Sequence, residues 1–211
     1  MYIKEPADTV VSAFFRPPLR RGWEHVVQAG PLLRKEILRA RPRDGGFILS
    51  YFRRHTPREA IEALTDCGMP VKVYGLGRQA DFRNISFHSI DEHRFIEDLA
   101  SCRCMISAAG NQLIGEALHL GKPMLLLPEK IHAEQRMNSH FLVKMGCGDS
   151  ELLEEVTPKR VREFLGKLDH FRGTLMAVVR GGLDGTPEAL GVIERRLANS
   201  CAGSTPASPT K

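Results

Sequence analysis

The sequence predicts an α/β fold, a Rossmann-like, doubly wound parallel sheet with helices on both faces. The first indication is the order of elements, because short apolar strands alternate with amphipathic helices from about residue 45 onward. The second is that the strands are almost continuously apolar, as strands covered on both faces are. The third is that the links between the elements are short.

Five strands are predicted, at residues 45–52, 71–76, 85–88, 104–107 and 123–127. The helix after the first strand has a start signal, in which Thr56 is the N-cap, Pro57 is the first helical residue and Glu59, at the N3 position, completes a capping box. Further helices are predicted near residues 94–101, 112–120 and 133–145, and two more begin at the Thr-Pro pairs 157–158 and 186–187.

The two ends of the chain differ from this pattern. Residues 9–15 predict a strand for which the rest of the chain offers no partner, and a Pro- and Arg-rich linker follows. Residues 200–211 are small and polar, which is typical of a disordered tail. We therefore divide the chain into a remnant of a preceding domain with its linker (1–27), a Rossmann-like domain (28–199) and a tail (200–211).

The composition restricts the class of partner. The formal net charge is +5 and the isoelectric point about 9.1, but the basic residues are dispersed and no nucleic-acid-binding motif is present. We therefore expect an acidic small molecule or an anionic membrane surface, and not nucleic acid, as the partner. Since the sequence has neither a long apolar run nor a secretory signal, a cytoplasmic location is expected, with the inner membrane face as an alternative.

The most informative segment joins the fourth predicted strand to the next helix. Gly110 in this turn would let the backbone approach a ligand, and the helix that begins near Asn111 and Gln112 would direct its N–H groups and its dipole at a diphosphate. Glu116, six residues after the glycine, could accept hydrogen bonds from two adjacent sugar hydroxyls. A tight turn followed by a solvated glutamate is the alternative interpretation.

A second polar cluster follows the fifth strand. Glu134, Gln135 and Asn138 fall in the first turns of one helix, and a carboxylate beside an amide suits sugar hydroxyls. The alternative is an ordinary polar helix start. The carboxyl ends of parallel strands share one edge of a sheet, so this cluster is expected near the Gly110 turn. The Gly75-Leu76-Gly77 pattern, by contrast, precedes no helix and is a weak dinucleotide signal.

Residues 106–148, ISAAGNQLIGEALHLGKPMLLLPEKIHAEQRMNSHFLVKMGCG, resemble the sugar-donor-binding signature of GT-B glycosyltransferases. That group includes the UDP-glycosyltransferases and the GlcNAc transferase that makes lipid II. With residues 30–34 as the link between two domains, the resemblance extends over about residues 28–200. It implies the C-terminal, nucleotide-sugar-binding half of a GT-B fold, acting with a UDP-sugar and without a metal ion or cofactor.

The resemblance also implies a role for each matching position. Gly110, Asn111 and Gln112 would hold the diphosphate, and Glu116 would hold the ribose hydroxyls. Glu134 and Gln135 would contact the sugar of the donor. His88, Ser89 and Ile90 would lie against the base, with the main chain of Ile90 recognising uracil.

One position departs from the signature. Many relatives carry His or Arg two residues before the turn glycine, where this chain has Ala108. The phosphate charge must then be met by the backbone or by a neighbouring cation, for which Arg53, Arg54 and His55 after the first strand are candidates. Of these, Arg53 is our assigned diphosphate contact.

The acceptor site and general base of GT-B enzymes usually belong to the N-terminal domain. We therefore assign no catalytic role to His25, His55, His88 or His132, and expect a hexosyltransferase whose isolated C-terminal chain is inactive. Two alternatives stay open. The chain could be a half-enzyme that needs a separate N-terminal subunit, or it could be an epimerase, hydrolase or non-catalytic binding module with the same fold.

Overall fold

The computed structural model describes residues 9–202, with side chains described as far as residue 198. These residues form two compact units. The smaller unit contains the chain up to Leu32 and from Asp184 onward, and the larger unit is Leu33–Leu183. The domain boundary predicted at residue 28 stays a prediction.

The smaller unit contains β1 (Thr9–Ser12), β2 (Val26–Ala29) and the long helix α8 (Thr186–Ala202). β1 and β2 pair in parallel, with Thr9 opposite Val26. The expectation that the first strand has no partner in this chain is therefore wrong. Its partner was missed because Val26–Ala29 has only four residues inside a polar, glycine-containing segment.

The larger unit is built on a six-stranded parallel sheet, and the predicted fold class is confirmed. Its strands are β3 (Ile48–Tyr51), β4 (Val71–Tyr74), β5 (Ile85–Phe87), β6 (Cys104–Ser107), β7 (Met124–Leu126) and β8 (Gly148–Ser150). Their spatial order is β5-β4-β3-β6-β7-β8. This is the Rossmann order, in which the direction of winding reverses between β3 and β6.

Seven helices belong to this unit. They are α1 (Lys35–Arg39), α2 (Arg58–Glu62), α3 (Glu92–Ser101), α4 (Asn111–His119), α5 (Ala133–Lys144), α6 (Pro158–Leu165) and α7 (Leu168–Gly181). None of the helices within residues 9–202 is long and apolar enough to cross a bilayer. β8, α1 and α7 were not predicted; β8 has the sequence Gly-Asp-Ser and lacks the apolar residues by which a strand is recognised.

Two predicted helix starts have different outcomes. Thr157 accepts a hydrogen bond from the backbone N–H of Arg160, as an N-cap should. The capping box predicted at Thr56 and Glu59 is wrong, because α2 begins one residue later, with Pro57 at its N-cap position and no side-chain cap. At the other end of the chain, α8 continues to Ala202, three residues into the predicted tail, and residues 203–211 lie outside the described part.

A buried lysine fixes the amino-terminal edge of the sheet. Lys122, which is 5% exposed, donates to the backbone carbonyls of Arg43 (2.7 Å) and Cys102 (2.9 Å). It thereby joins the segment before β3 to the segment before β6. Burial lowers the pKa of its ammonium group below the usual lysine value.

Lys122→Met is expected to lower the free energy of unfolding by about 2–3 kcal/mol, because two carbonyls lose a charged donor while the apolar stem is retained. Urea unfolding monitored by circular dichroism would measure the change. The matched control is Lys35→Met at an exposed position, for which a change within about 0.5 kcal/mol is expected. Equal stabilities for the two variants would contradict the structural role of Lys122.

Candidate functional site

A cleft of about 810 Å³ opens at the carboxyl edge of the six-stranded sheet. It lies beyond the carboxyl ends of the paired strands β3 and β6, since Tyr51 ends β3 and Ala108 follows β6. Ligands of open parallel sheets bind at such a switch point. The cleft is lined by Arg34, Tyr51, Arg53, Ile90, Glu92, Phe95, Ala108, Gly110, Asn111, Gln112, Leu113, Glu116 and Glu134.

The Gly110 turn forms one wall of the cleft. Gly110 is the N-cap residue of α4, with φ −78° and ψ 130°, and no side chain caps the helix. A Cβ atom at Gly110 would have no neighbour within 4 Å, so the space beside this backbone is open. Unlike a glycine at positive φ, Gly110 has a conformation that any residue adopts. The missing side chain at Gly110 therefore keeps the space beside the backbone open, and it is not needed for the backbone conformation of the turn.

Glu116 lies at the centre of a polar network in the same cleft. Its carboxylate accepts a two-pronged hydrogen bond from Arg34, with Nε to Oε1 at 2.8 Å and Nη2 to Oε2 at 2.7 Å. Gln112 Nε2 donates to Oε1 at 3.0 Å, and Glu92 accepts from Arg34 Nη1 at 2.7 Å. The bond to Glu116 is the main cause of the raised pKa of Arg34. Glu116 is only 1% exposed, so its charge is balanced inside the protein.

Arg53 supplies the second cation of the cleft. It follows β3 and, like Ala108, it lines the cleft. Its Nη1 is 3.7 Å from Glu129 Oε1, which is a loose and half-exposed ion pair. Because such ion pairs contribute little free energy, Arg53 can leave Glu129 and bind a more highly charged anion with only a small loss of stability. Arg54 and His55, the other candidates, are not among the lining residues.

The polar cluster at the start of α5 is divided between two environments. Glu134 lines the cleft, whereas Gln135 is 1% exposed and lies outside the lining. Gln135 Oε1 accepts from the backbone N–H of Glu129 at 2.8 Å, so this side chain fixes the loop after β7. Asn138 is buried as well and donates to the carbonyl of Ala109 at 2.9 Å. Both amides therefore hold the walls of the cleft in place instead of facing into it.

Only part of the loop after β5, which was predicted to contact the nucleotide base, lines the cleft. Ile90 lines the cleft and is 66% exposed, but His88 and Ser89 are not among the lining residues. The His88 ring stacks on Tyr74 at 5.2 Å, and its Nε2 lies 2.9 Å from Ser86 Oγ. Burial and, secondarily, Arg94 lower the pKa of His88. His88 is thus committed to packing at the edge of the sheet.

Five lining residues received no role from the sequence: Arg34, Tyr51, Glu92, Phe95 and Leu113. Tyr51 and Phe95 pack edge to face, with ring centroids 5.8 Å apart, and give the cleft an aromatic wall. The position of Tyr51 at the end of a strand was the available signal for that residue. Arg34 lies in the predicted link between domains, and only its tertiary contact with Glu116 identifies it.

The six-stranded parallel sheet with its flanking helices matches the fold of GT-B glycosyltransferase domains. The sequence matches the profile of glycosyl transferase family 1 over residues 2–169, and the chain therefore belongs to that family. No curated protein matches the chain in sequence.

Several solved glycosyltransferases share the fold. The glycotransferase of kitacinnamycin is 19% identical, with a TM-score of 0.67 over 90% of this chain and 55% of that one. Spinosyn forosaminyltransferase SpnP is 17% identical, with a TM-score of 0.60 over 88% and 55%. VinC, solved in complex with DTDP, is 18% identical, with a TM-score of 0.52 over 78% and 44%. The chain thus spans about half the length of these proteins.

Proposed function

We propose that the cleft binds a nucleotide-sugar donor, with a UDP-sugar as the expected ligand, and that the chain is the donor-binding half of a glycosyltransferase of the hexosyltransferase type. The observation that carries the proposal is the open space beside Gly110, at the uncapped start of α4 and at the switch point of the sheet. A diphosphate has the charge and size for this position. The family membership and the DTDP bound to VinC support the same ligand class.

The charges of the cleft favour this orientation of the ligand. Arg53 lines the same cleft as the glycine turn, and in the proposed complex it would supply the cation that is missing at Ala108. Arg34 is already neutralised by Glu116 and Glu92, so Arg53 is the side-chain cation left for the diphosphate within the described lining. With the phosphates at Gly110, Asn111 and Gln112, the nucleoside extends toward Glu116 and the aromatic wall, and the base lies near Ile90.

The sugar of the donor is proposed to lie at the opposite end, against Glu134. This carboxylate follows β7 and faces the cleft, and it can accept hydrogen bonds from sugar hydroxyls. Gln135 contributes indirectly, because it fixes the backbone of Glu129 and with it the loop before α5. The side chain of Gln135 is buried outside the lining of the cleft, so its role in the sugar site is this support and not a direct contact.

We further propose that the acceptor site and the general base come from a domain or subunit outside this chain, and that the isolated chain binds its donor without transferring the sugar. Its length, about half that of the solved relatives, supports this. The smaller unit also carries apolar side chains that are 37–62% exposed: Val10 and Val11 on β1, and Leu190, Ile193 and Leu197 on α8. Such a surface is typical of an interface with another domain.

A thermal-shift series tests the donor proposal. UDP, UDP-GlcNAc, UDP-glucose, thymidine diphosphate and GDP-mannose would each be added at a range of concentrations. A ligand at a hundred times its Kd is expected to raise the melting temperature by about 5–10 °C. A series in which no nucleotide stabilises the chain would refute donor binding. Stabilisation by GDP-mannose alone would support the binding of a nucleotide-sugar donor but would contradict the expectation that the donor is a UDP-sugar.

A further inference from the structure

A second pocket, of about 370 Å³, lies at the amino-terminal edge of the six-stranded sheet. It is lined by the segments that precede β3, β6 and β7 and by residues of α7, and it shares no lining residue with the cleft. We propose that this pocket binds a small organic anion, with a carboxylate or phosphate head on an apolar body. The site is independent of the nucleotide-sugar donor and of the proposed function.

The charges of the pocket are unbalanced. Its described lining contains one carboxylate, Asp44, against four cations: Arg43, Arg103, Lys122 and Arg172. Asp44 accepts from the backbone N–H of Gly46 at 3.0 Å and twice from Arg103 at 3.1 Å. Arg172 donates a fourth hydrogen bond to it, also at 3.1 Å. Since a carboxylate has about four acceptor positions, those of Asp44 are filled.

Lys122 carries a positive charge that this arrangement leaves uncompensated. It is 5% exposed, and its ammonium group donates to two neutral carbonyls, those of Arg43 at 2.7 Å and Cys102 at 2.9 Å. Among the described residues, no carboxylate forms an ion pair with it. Lysines are almost never fully buried unless they are paired with an anion. An ammonium group has three N–H donors, so one is left for an anion in the pocket.

The helix α7 supplies an apolar wall beside these cations. Leu175, Met176 and Val179 follow Arg172 by three, four and seven positions, so all four lie on one face of the helix. Met176 is 54% exposed. An inorganic anion would leave this wall in contact with water, whereas an apolar body attached to the anionic head would cover it. The volume is near the lower end of the range for small-molecule sites, so the ligand is small.

A titration of the isotopically labelled chain, followed by backbone amide signals in solution NMR, tests the proposal. The probes are hexanoate, hexyl phosphate, inorganic phosphate and the uncharged hexanamide, in a buffer of low ionic strength because salt screens exposed charges. At least one of the two hexyl anions is expected to shift the signals of Arg103, Gly121 and Lys122 saturably, with a Kd of about 1–10 mM for a ligand of this size. Hexanamide and inorganic phosphate should each bind about 10-fold or more weakly, and saturating UDP should not displace the bound anion.

Arg172→Gln provides a second measurement. It is expected to weaken binding of the same hexyl anion about 10-fold, because a charge-assisted hydrogen bond is lost. Arg180→Gln is the matched control, since Arg180 is exposed near the end of the same helix and lies outside the lining. It should leave the affinity unchanged. Arg43→Gln, at another exposed side chain of the lining, should repeat the effect of Arg172→Gln.

Four results would overturn the proposal. The first is that neither hexyl anion gives saturable shifts at this edge of the sheet. The second is that hexanamide binds as tightly as the anions, which would mean that the charges have no role. The third is that inorganic phosphate binds as tightly as hexyl phosphate, which would mean that the apolar wall has none. The fourth is that Arg172→Gln and Arg180→Gln have equal effects.

Discussion

Replacing Gly110 with valine is expected to reduce nucleotide affinity at least 100-fold while leaving the fold intact. The backbone at Gly110 has φ −78° and ψ 130°, which valine adopts readily, and a Cβ there meets no atom within 4 Å. The added side chain would instead occupy the space proposed for the diphosphate, beside the first N–H groups of α4. The substitution is therefore expected to lower the affinity for nucleotide without lowering the free energy of unfolding.

Isothermal titration with UDP and urea unfolding of the same samples would measure the two effects. Gly110→Ala should give a smaller loss of affinity, because its side chain is shorter. Gly173→Val is the matched control, since Gly173 lies within α7, is not a lining residue and also has open space at its Cβ position. Tight binding of UDP to Gly110→Val would rule out a diphosphate at this turn.

Glu116→Ala is expected to weaken nucleotide binding by about 10- to 100-fold and to lower the free energy of unfolding by about 2–3 kcal/mol. Breaking a fully buried ion pair costs about 3–5 kcal/mol. The smaller figure applies here because the Arg34 side chain is 34% exposed and keeps Glu92 as a partner. The loss of affinity comes from the nucleoside hydroxyl that Glu116 would accept.

The matched control is Glu92→Ala, which removes the other carboxylate bound to Arg34. Glu92 is 66% exposed, and exposed ion pairs contribute about 0–1 kcal/mol, so its effect on stability should be at most about 1 kcal/mol. Urea unfolding compares the two variants directly. Equal destabilisation by the two substitutions would show that the buried Arg34–Glu116 ion pair stabilises the fold no more than the exposed Arg34–Glu92 pair does.

The order of strands and helices from β3 to α5 could be predicted because buried parallel strands and amphipathic helices have distinct patterns. The Rossmann sheet and the turn at Gly110 follow from such local signals. The pairing of β1 with β2 did not, because Val26–Ala29 is too short to be distinctive and pairing is a tertiary property. The capping box at Thr56 failed for a related reason, since a favourable sequence is no guarantee of the hydrogen bond.

Some residues of the candidate site could likewise be identified from local sequence signals, and others could not. Gly110, Glu116 and Glu134 were predicted to meet because they follow neighbouring strands, and the structure places all three in one cleft. Gln135 was grouped with Glu134 by helical spacing, yet adjacent residues on a helix point about 100° apart, and only one of them faces the cleft. Arg34 could not be found from sequence, because its contact with Glu116 spans 82 residues.

The most direct test is a titration of the isotopically labelled chain with UDP, followed by the backbone amide signals in solution NMR. Donor binding in the cleft predicts the largest shifts at Gly110, Asn111, Gln112 and Leu113, with smaller ones at Ile90 and Glu134. Unchanged signals at saturating UDP would contradict the account. So would shifts confined to the separate groove between α1 and α3, which is lined by residues such as Arg39 and Glu97.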